Sequence, residues 1–351
     1  MEVVIIIVNY NAGNYLVSCV HSVLNQHYPY KRIIIVDNAS SDGSLLQLPV
    51  DERLTILQNE ENRGFAAAVN QAVVTIPDDE IHWIALINPD VQLAPNWLQQ
   101  MIHTAEQKKD YHSFGSTQIH WQGNPSTLIQ WPLIDHQQAW SLTEIKQYFA
   151  QYQLDGTGDC YHALGFPYRR HYGSSIKLLP QSGPIFSPCA AAALYSLRLF
   201  KQVGGMEERF FCYCEDVDLG FRMRLEAGAQ AWHVAEAIAF HAGSAISNQY
   251  SGFAIYHGFR NRIWLWIRMM PPYGWCLFLL PHLALELLFV IRAIKRGYQK
   301  EIFKATKDAL NINSLKWLLH WRQKEKQNIS TYEWWKQIRN WRWNLLFWRR
   351  Q

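Results

Sequence analysis

Polar and apolar positions along the first ninety residues mark alternating strands and helices. Val3 to Val8 reads VVIIIV, an unbroken β-branched run, which suits a central parallel strand buried on both faces. The polar turn Asn9-Tyr10-Asn11 follows, and then Leu16, Val20 and Val23 share one face of a helix predicted to run to about Asn25. A second buried strand, Arg32 to Val36, ends in Asp37-Asn38-Ala39-Ser40-Ser41-Asp42-Gly43-Ser44. A strand, a helix and a strand of this kind make a right-handed crossover. Ligands of open α/β sheets bind beyond the carboxyl ends of the strands, so Asn9 and Asp37 should both face a crevice. No GxGxxG follows either strand, which argues against a dinucleotide fold.

Next come a predicted strand, Leu54 to Gln58, and the loop Asn59-Glu60-Glu61-Asn62-Arg63-Gly64-Phe65, which opens a small-residue helix over Ala66 to Val74. Backbone amides at that helix start, with Arg63 beside them, would suit phosphate oxygens. The strand His82 to Ile87 ends in Asn88-Pro89-Asp90. Asp90 has an ordinary use as a turn or capping residue and a chemical one as a ligand of Mg²⁺ or Mn²⁺. Residues 105–188 are rich in aromatics, among them Trp121, Trp140, Phe149 and Tyr168. They read either as an excursion that covers the sheet or as a platform for a sugar ring. Arg169-Arg170-His171 would meet a phosphate or solvent.

The most chemically loaded stretch is Gly204 to Leu219, GGMEERFFCYCEDVDL. Three carboxylates, Glu215, Asp216 and Asp218, fall within four positions and raise one another's pKa. Val217, Phe221 and Leu225 lie one helical turn apart, with Gly228 as a C-terminal stop. Glu215 and Asp216 would then sit at a helix N-terminus, where the dipole favours negative charge. His241 follows a strand-like run and is either a packed histidine or a metal ligand.

Composition adds an asymmetry. The formal net charge is +4, but residues 292–351 carry 15 Lys or Arg against 4 Asp or Glu, so the preceding body is net acidic. Seven of the 16 tryptophans lie between Trp317 and Trp348. A basic, Trp-rich end suggests an anionic membrane surface; no nucleic-acid-binding module is recognisable. Tyr273 to Ile291 is long enough to span a bilayer, yet Pro281 interrupts it and His282 and Glu286 would be costly in hydrocarbon. An interfacial, monotopic helix flanked by Arg292, Lys295 and Arg296 is therefore expected. Further helices are expected over Tyr256 to Met270, Lys316 to Gln327 and Thr331 to Arg350. In the first, Arg260, Asn261 and Arg262 would contact a phosphate or form a solvated face. Six cysteines without zinc-like spacing read as free thiols of a cytosolic protein. With no basic n-region ahead of the first strand, no signal peptide is expected.

VVIIIVNYN, IVDNASSDGS, NRGFAAAVN, LINPDV and VGGMEERFFCYCEDVDLGFRMRLEAGA, in this order, resemble the family 2 glycosyltransferases, inverting nucleotide-sugar enzymes with a GT-A fold. The likeness is to bacterial rhamnosyltransferase-like and galactofuranosyltransferase-like members, and covers residues 1 to about 245. It implies an α/β GT-A domain, a Rossmann-like and mostly parallel sheet flanked by helices, over 1–245 with an acceptor-side excursion at 105–188. A helical, membrane-associating extension would occupy 246–351. By the resemblance, Asn9 and Asn11 line the nucleotide pocket, and Asp37 meets the pyrimidine base with Asn38 and Ser40 beside it. Asn62, Arg63 and Gly64 lie against ribose and diphosphate. Asp90 ligates Mg²⁺ or Mn²⁺, with Asn88 where the usual DxD has its first Asp. His241 supplies a second ligand, Asp216 is the general base, and Glu215 orients donor or acceptor. Pro188-Cys189-Ala190-Ala191-Ala192-Ala193 resembles the small-residue strand that floors the acceptor site.

The chemistry accounts for these residue types. An acceptor hydroxyl attacking an anomeric carbon needs a base, and a departing nucleoside diphosphate needs its charge neutralised. The resemblance implies a dTDP- or UDP-sugar donor, with dTDP-L-rhamnose as the first expectation, and a lipid-linked glycan acceptor at the cytoplasmic face of the bacterial inner membrane. Two other readings stay open: a non-catalytic sugar-nucleotide or glycan-binding scaffold of a membrane assembly, and a hydrolase using the same carboxylates. The nucleotide-like text of DNASSDGS and NRGF argues against the hydrolase.

Overall fold

The computed structural model describes residues 2–28, 31–77, 81–124, 126–129, 131, 140–243 and 251–325. Its strands are β1 (Glu2–Asn9), β2 (Lys31–Asp37), β3 (Leu54–Gln58), β4 (Ile81–Ile87), β5 (Val91–Leu93) and β6 (Tyr111–His120), followed by β7 (Leu154–Gly156), β8 (Asp159–His162), β9 (Phe166–Arg169), β10 (Gly183–Ile185), β11 (Ala192–Ser196) and β12 (Gln230–His241). The helices are α1 (Asn14–Leu24), α2 (Gly64–Val74), α3 (Trp97–Gln107), α4 (Leu142–Tyr148) and α5 (Leu197–Gln202), then α6 (Glu215–Ala227), α7 (Gly252–Met269), α8 (Pro272–Lys295), α9 (Gln299–Leu310) and α10 (Ile312–Glu325).

The main sheet runs β10-β12-β6-β11-β4-β1-β2-β3, with β5 added to β12 and β7 to β6. β4, β1, β2 and β3 are parallel, as are β6 and β12, while β11 enters antiparallel between β4 and β6. The chain leaves β1 towards β2 and returns to its other side at β4, so β1 and β4 flank the topological switch point where such sheets bind ligands. Successive side chains of a strand point to opposite faces. Val3, Ile5 and Ile7 therefore join a core with Leu16, Trp97 and Phe240, and Val4, Ile6 and Val8 join a second with Val69, Phe200 and Leu219. Helices cover both faces, and this is why β1 has no polar alternation.

The stretch 105–188 is more than an excursion. β6 lies inside the sheet, unannounced because its buried side chains are largely polar: Ser116, Thr117 and Gln118 donate to the carbonyls of Ala192, Ala235 and Cys189. Its aromatics divide in use. Trp131, Phe149 and Tyr152 pack edge-to-face on Phe240 at centroid distances of 5.5, 5.5 and 5.0 Å and cover the sheet. Phe166 and Tyr168 instead reach the main cavity.

A third core joins the C-terminal helices to the first part of the chain. Phe210 and Phe221 pack with Trp264, Leu265 and Met269 of α7 and Leu318 of α10. The helix expected over Thr331 to Arg350 lies outside the described residues. In α8, the two residues that hydrocarbon would penalise turn inward. His282 stacks on Trp266 at 4.0 Å and bonds the Leu164 carbonyl at 2.7 Å, and Glu286 takes a bidentate pair from Arg262. Leu280, Leu283, Leu287 and Ile294 face outward.

Asn9, at the end of β1, fixes the loop after β2. Its buried Nδ2 donates to Asp37 Oδ1 at 2.7 Å and to the hydroxyls of Ser40 and Ser44 at 3.1 and 3.0 Å. Replacing Asn9 by Ala should destabilise the protein by about 1–3 kcal/mol, because the buried Asp37 carboxylate loses a donor. Urea denaturation measures this, and a loss below about 0.5 kcal/mol, the size of an ordinary surface change, would contradict the role.

Candidate active site

One cavity of 840 Å³ opens at the carboxyl ends of β1 and β4, and Asn38, Asn62, Gly64, Asn88, Asp90, Glu215, Asp216 and His241 all line it. Asn9, Asn11, Asp37, Ser40 and Arg63 do not line it. The first four form a hydrogen-bonded layer under its rim, with Asn11 Oδ1 accepting from Ser41 N at 2.8 Å and Ser40 N donating to Asp37 Oδ2 at 3.0 Å. Arg63 turns towards Gln71. The expected phosphate cradle at the start of α2 is also partly occupied, since Ala66 N donates to the Phe211 carbonyl at 3.2 Å. Gly64 is needed there: its φ is +83°, and a Cβ would lie 2.6 Å from the Phe211 ring.

The loop before α6 is strained. Phe211, Tyr213 and Cys214 have φ of 66°, 68° and 69°, a region that non-glycine residues avoid. The expected phosphate contacts of Arg260 and Asn261 are replaced by a hold on this loop. Buried Asn261 Nδ2 donates to the carbonyls of Phe210, Cys212 and Tyr213 at 2.8, 2.8 and 2.7 Å. Arg260 Nη2 donates to those of Arg209 and Phe210, both at 3.0 Å. The loop delivers the first turn of α6 into the cavity, and the acidic triplet then splits. Asp218 points away and pairs with Arg222 at 2.7 Å and Arg268 at 3.3 Å. Glu215 and Asp216 face the cavity. Gly228, at φ +62°, ends the helix as its sequence position predicts.

Asp216 is held on both carboxylate oxygens: Oδ2 accepts from Ala190 N at 3.2 Å and Oδ1 from its neighbour Val217 N at 2.8 Å. A second carboxylate, Asp159 of β8, comes beside it, and their oxygens and Cys189 Sγ all lie within 4.8 Å of one another. Burial, and then the charge of Asp216, push the Asp159 carboxyl well above its ordinary range. Burial raises the Cys189 thiol too, which makes it the weakest donor of the three. Glu215 is pushed up to about 8 by burial and then by Asp216, and its Oε2 has no hydrogen-bond partner among the described residues.

At the other end, the β5–β12 pairing sets His241 opposite Val91, the residue after Asp90. His241 Nε2 lies 3.3 Å from Asp90 Oδ1, and Nδ1 lies 2.7 Å from Asp155 Oδ2. Burial opposes charge on the imidazole, but Asp90 and Asp155 outweigh it and raise its pKa to about 10. Asp155, held far below the usual carboxylate range by Arg169 and His241 against the cost of burial, also pairs with Arg169 of β9. Arg169 Nε in turn lies 3.9 Å from Asp159 Oδ1. A chain of ionisable groups thus runs from Asp90 through His241, Asp155, Arg169 and Asp159 to Asp216. A divalent cation there would displace the proton from Nε2, and Asp90 with a neutral imidazole whose far nitrogen is anchored by a second carboxylate is then a donor set that fits it.

Sequence reasoning missed Asp155, Asp159 and the inward use of Arg169. The available signal was LDGTGD, two acids bracketing a Gly-Thr-Gly turn. The Glu215 shift gives a test of linkage. A carboxyl whose folded pKa is raised contributes stability fully below its ordinary value near 4.5 and loses it as pH rises towards about 8. Wild type should therefore lose stability relative to Glu215→Gln across that window. Melting temperatures at pH 5 and pH 8 that differ by the same amount in both proteins would exclude the shift.

Residues 4–173 match the family model described as glycosyl transferase family 2. A glycosyltransferase assigned to teichuronic acid biosynthesis in Bacillus subtilis is 45% identical over 69 residues, 18% of this chain and 27% of that protein. The match to an N-acetylglucosaminyl-diphospho-decaprenol L-rhamnosyltransferase of Mycobacterium tuberculosis is 25% identical over 225 residues, 60% of this chain and 66% of that one. This chain thus spans about a quarter of the first relative and just under two thirds of the second. A crystal structure of GalNAc-T7 with UDP, GalNAc and Mn²⁺ superposes with a TM-score of 0.59 at 12% identity, over 99% of this chain and 57% of that one. S. aureus TarS gives 0.51 at 14% identity, over 97% of this chain and 55% of that one. Residues 4–173, just under half of the chain, are thus a region similar to glycosyl transferase family 2, and the whole chain has the GT-A fold.

Proposed function

We propose that the protein is an inverting glycosyltransferase that moves a sugar from a nucleoside diphosphate to a hydroxyl of a lipid-linked glycan, with Asp216 as general base. The observation that carries this reading is the convergence of Asp216 with Asp90 and His241 on one cavity that Asn38 and Asn62 also line. Asp216 has both oxygens oriented by backbone amides and Asp159 beside it, and in this reading it accepts the proton of the acceptor hydroxyl. Glu215, neutral near pH 7, is placed to donate a hydrogen bond to a sugar hydroxyl. Asn9, Asn11, Asp37, Asn38 and Ser40 make the nucleotide side of the site, the first three and Ser40 acting by shaping its rim. Asn62 and Gly64 border the ribose and diphosphate, Arg63 stays outside on Gln71, and Asn88 lines the cavity with Asp90.

Asp90 and His241 would hold Mg²⁺ or Mn²⁺, which when bound supplies positive charge against the diphosphate. Asp155 keeps the His241 ring in place for that role. L-Rhamnose from dTDP-rhamnose is the preferred donor, supported by the mycobacterial relative's name. The outward leucines of α8 and the basic Arg292, Lys295 and Arg296 support attachment to an anionic membrane surface. The reading takes that surface to be the cytoplasmic face of the bacterial inner membrane.

Nucleotide release from dTDP-, UDP- and GDP-sugars, with membrane lipid extract as acceptor, tests the reading. One donor should turn over, lose turnover with EDTA, and slow by roughly 10²–10⁴-fold in Asp216→Asn. A folded protein that binds nucleotide but releases none with a competent acceptor would instead be a scaffold. Asp155→Asn should weaken Mn²⁺ binding by roughly 10–100-fold. Titration calorimetry without nucleotide measures it, and unchanged affinity would remove Asp155 from the metal end.

A further inference from the structure

Resting on the proposed transfer from a nucleoside diphosphate, we infer that Arg169 reads the transferred sugar. Its uncommitted guanidinium edge donates a hydrogen bond to a ring hydroxyl and so helps to set donor specificity. Inverting displacement fixes where that ring lies, because the leaving oxygen and the attacking hydroxyl stand on opposite sides of the anomeric carbon. As the bond from this carbon to the diphosphate oxygen breaks, its electron pair leaves with the diphosphate. The acceptor oxygen forms the new bond, and its proton passes to Asp216. With the diphosphate at the Asp90–His241 end and the acceptor hydroxyl at Asp216, the ring lies against whatever joins the two ends. Those joining residues are Asp155, Arg169 and Asp159, and of the three Arg169 and Asp159 line the cavity.

The fold holds the Arg169 side chain in this place from both of its ends. The β8–β9 register sets it opposite Asp159. Its stem lies across Gly156 of β7, where a Cβ would come 2.5 Å from Arg169 Cδ. Nη1 pairs with Asp155, on the same Oδ2 that takes His241 Nδ1. Nε lies 3.9 Å from Asp159 Oδ1, beyond hydrogen-bond reach. Nη2 has no hydrogen-bond partner among the described residues, and the side chain keeps 29% of its surface exposed where it lines the cavity.

Charge selects the kind of partner. Asp155 and Asp159 compensate the guanidinium, so what remains is a directed N–H rather than a net positive charge. A neutral oxygen suits such a donor, and a sugar ring presents several. Arg262, also on the cavity wall, is not placed to share the task, since it gives Nε and Nη2 to Glu286 at 2.7 and 2.6 Å.

Arg169→Lys tests the assignment while keeping the charge, because an ammonium reaches either Asp155 or the sugar but lacks the fork that serves both. Titration calorimetry of the full chain, with Mn²⁺ and without acceptor, compares dTDP-, UDP- and GDP-sugars with dTDP, UDP and GDP. In the variant, affinity for the donor relative to its own nucleoside diphosphate should fall by roughly tenfold or more. The nucleoside diphosphate alone should bind as it does to wild type. Gly156→Ala, which keeps every charged group and displaces the arginine stem, should lower the same ratio, and it decides on the same terms where Arg169→Lys does not fold. An unchanged ratio in the folded variant would overturn the assignment. So would equal weakening of donor and nucleoside diphosphate, which would make Arg169 a contact of the diphosphate or a support of the metal end. Wild type that binds neither under any condition would instead count against the transferase reading itself.

Discussion

The site depends on one buried amide. Asn261 satisfies three carbonyls of a loop in which three non-glycine residues hold left-handed conformations. Each such conformation costs on the order of 1–3 kcal/mol and persists only where its surroundings enforce it. The return for that cost is position: a loop relaxed to ordinary angles would not bring Glu215 and Asp216 into the cavity while keeping Asp218 on the far side. The C-terminal helices thus help to shape the cavity, and the aromatic core around Phe210, Trp264 and Leu318 is the foundation on which α7 stands.

The cavity is otherwise a problem of placing acids. Six ionisable groups from Asp90 to Asp216 form one chain, each with a neighbour in it that compensates it or shares its proton. Such networks are stiff, because removing one member leaves another buried and unpaired. They also keep the two ends of the site at a fixed separation.

The parallel half of the sheet was legible because β1, β2 and β4 have continuous apolar runs, buried on both faces. α6 was legible because its apolar spacing and Gly228 agree. Asp90, Glu215 and Asp216 were legible because turn and cap chemistry set them at strand and helix ends. β6 was hidden by its polar residues, whose partners are carbonyls far along the chain. Asp155 and Asp159 were hidden for a related reason: their meaning lies in His241 and Asp216, 86 and 57 positions away, and no local pattern records such a distance. Arg260 and Asn261 looked like anion ligands because guanidinium and amide donors serve a backbone carbonyl as readily as a phosphate.

The contact at Gly64 has a mechanical consequence. The Phe211 carbonyl caps α2 and the Phe211 ring fills the space that a side chain at position 64 would need. α2 and the loop before α6 therefore meet without any compliant layer between them. A shift of α2 of a few tenths of an ångström has nowhere to dissipate and is passed directly to the turn that carries Asp216. In engineering terms the two halves of the site share a single bearing surface, and its tolerance is set by the absence of one carbon atom.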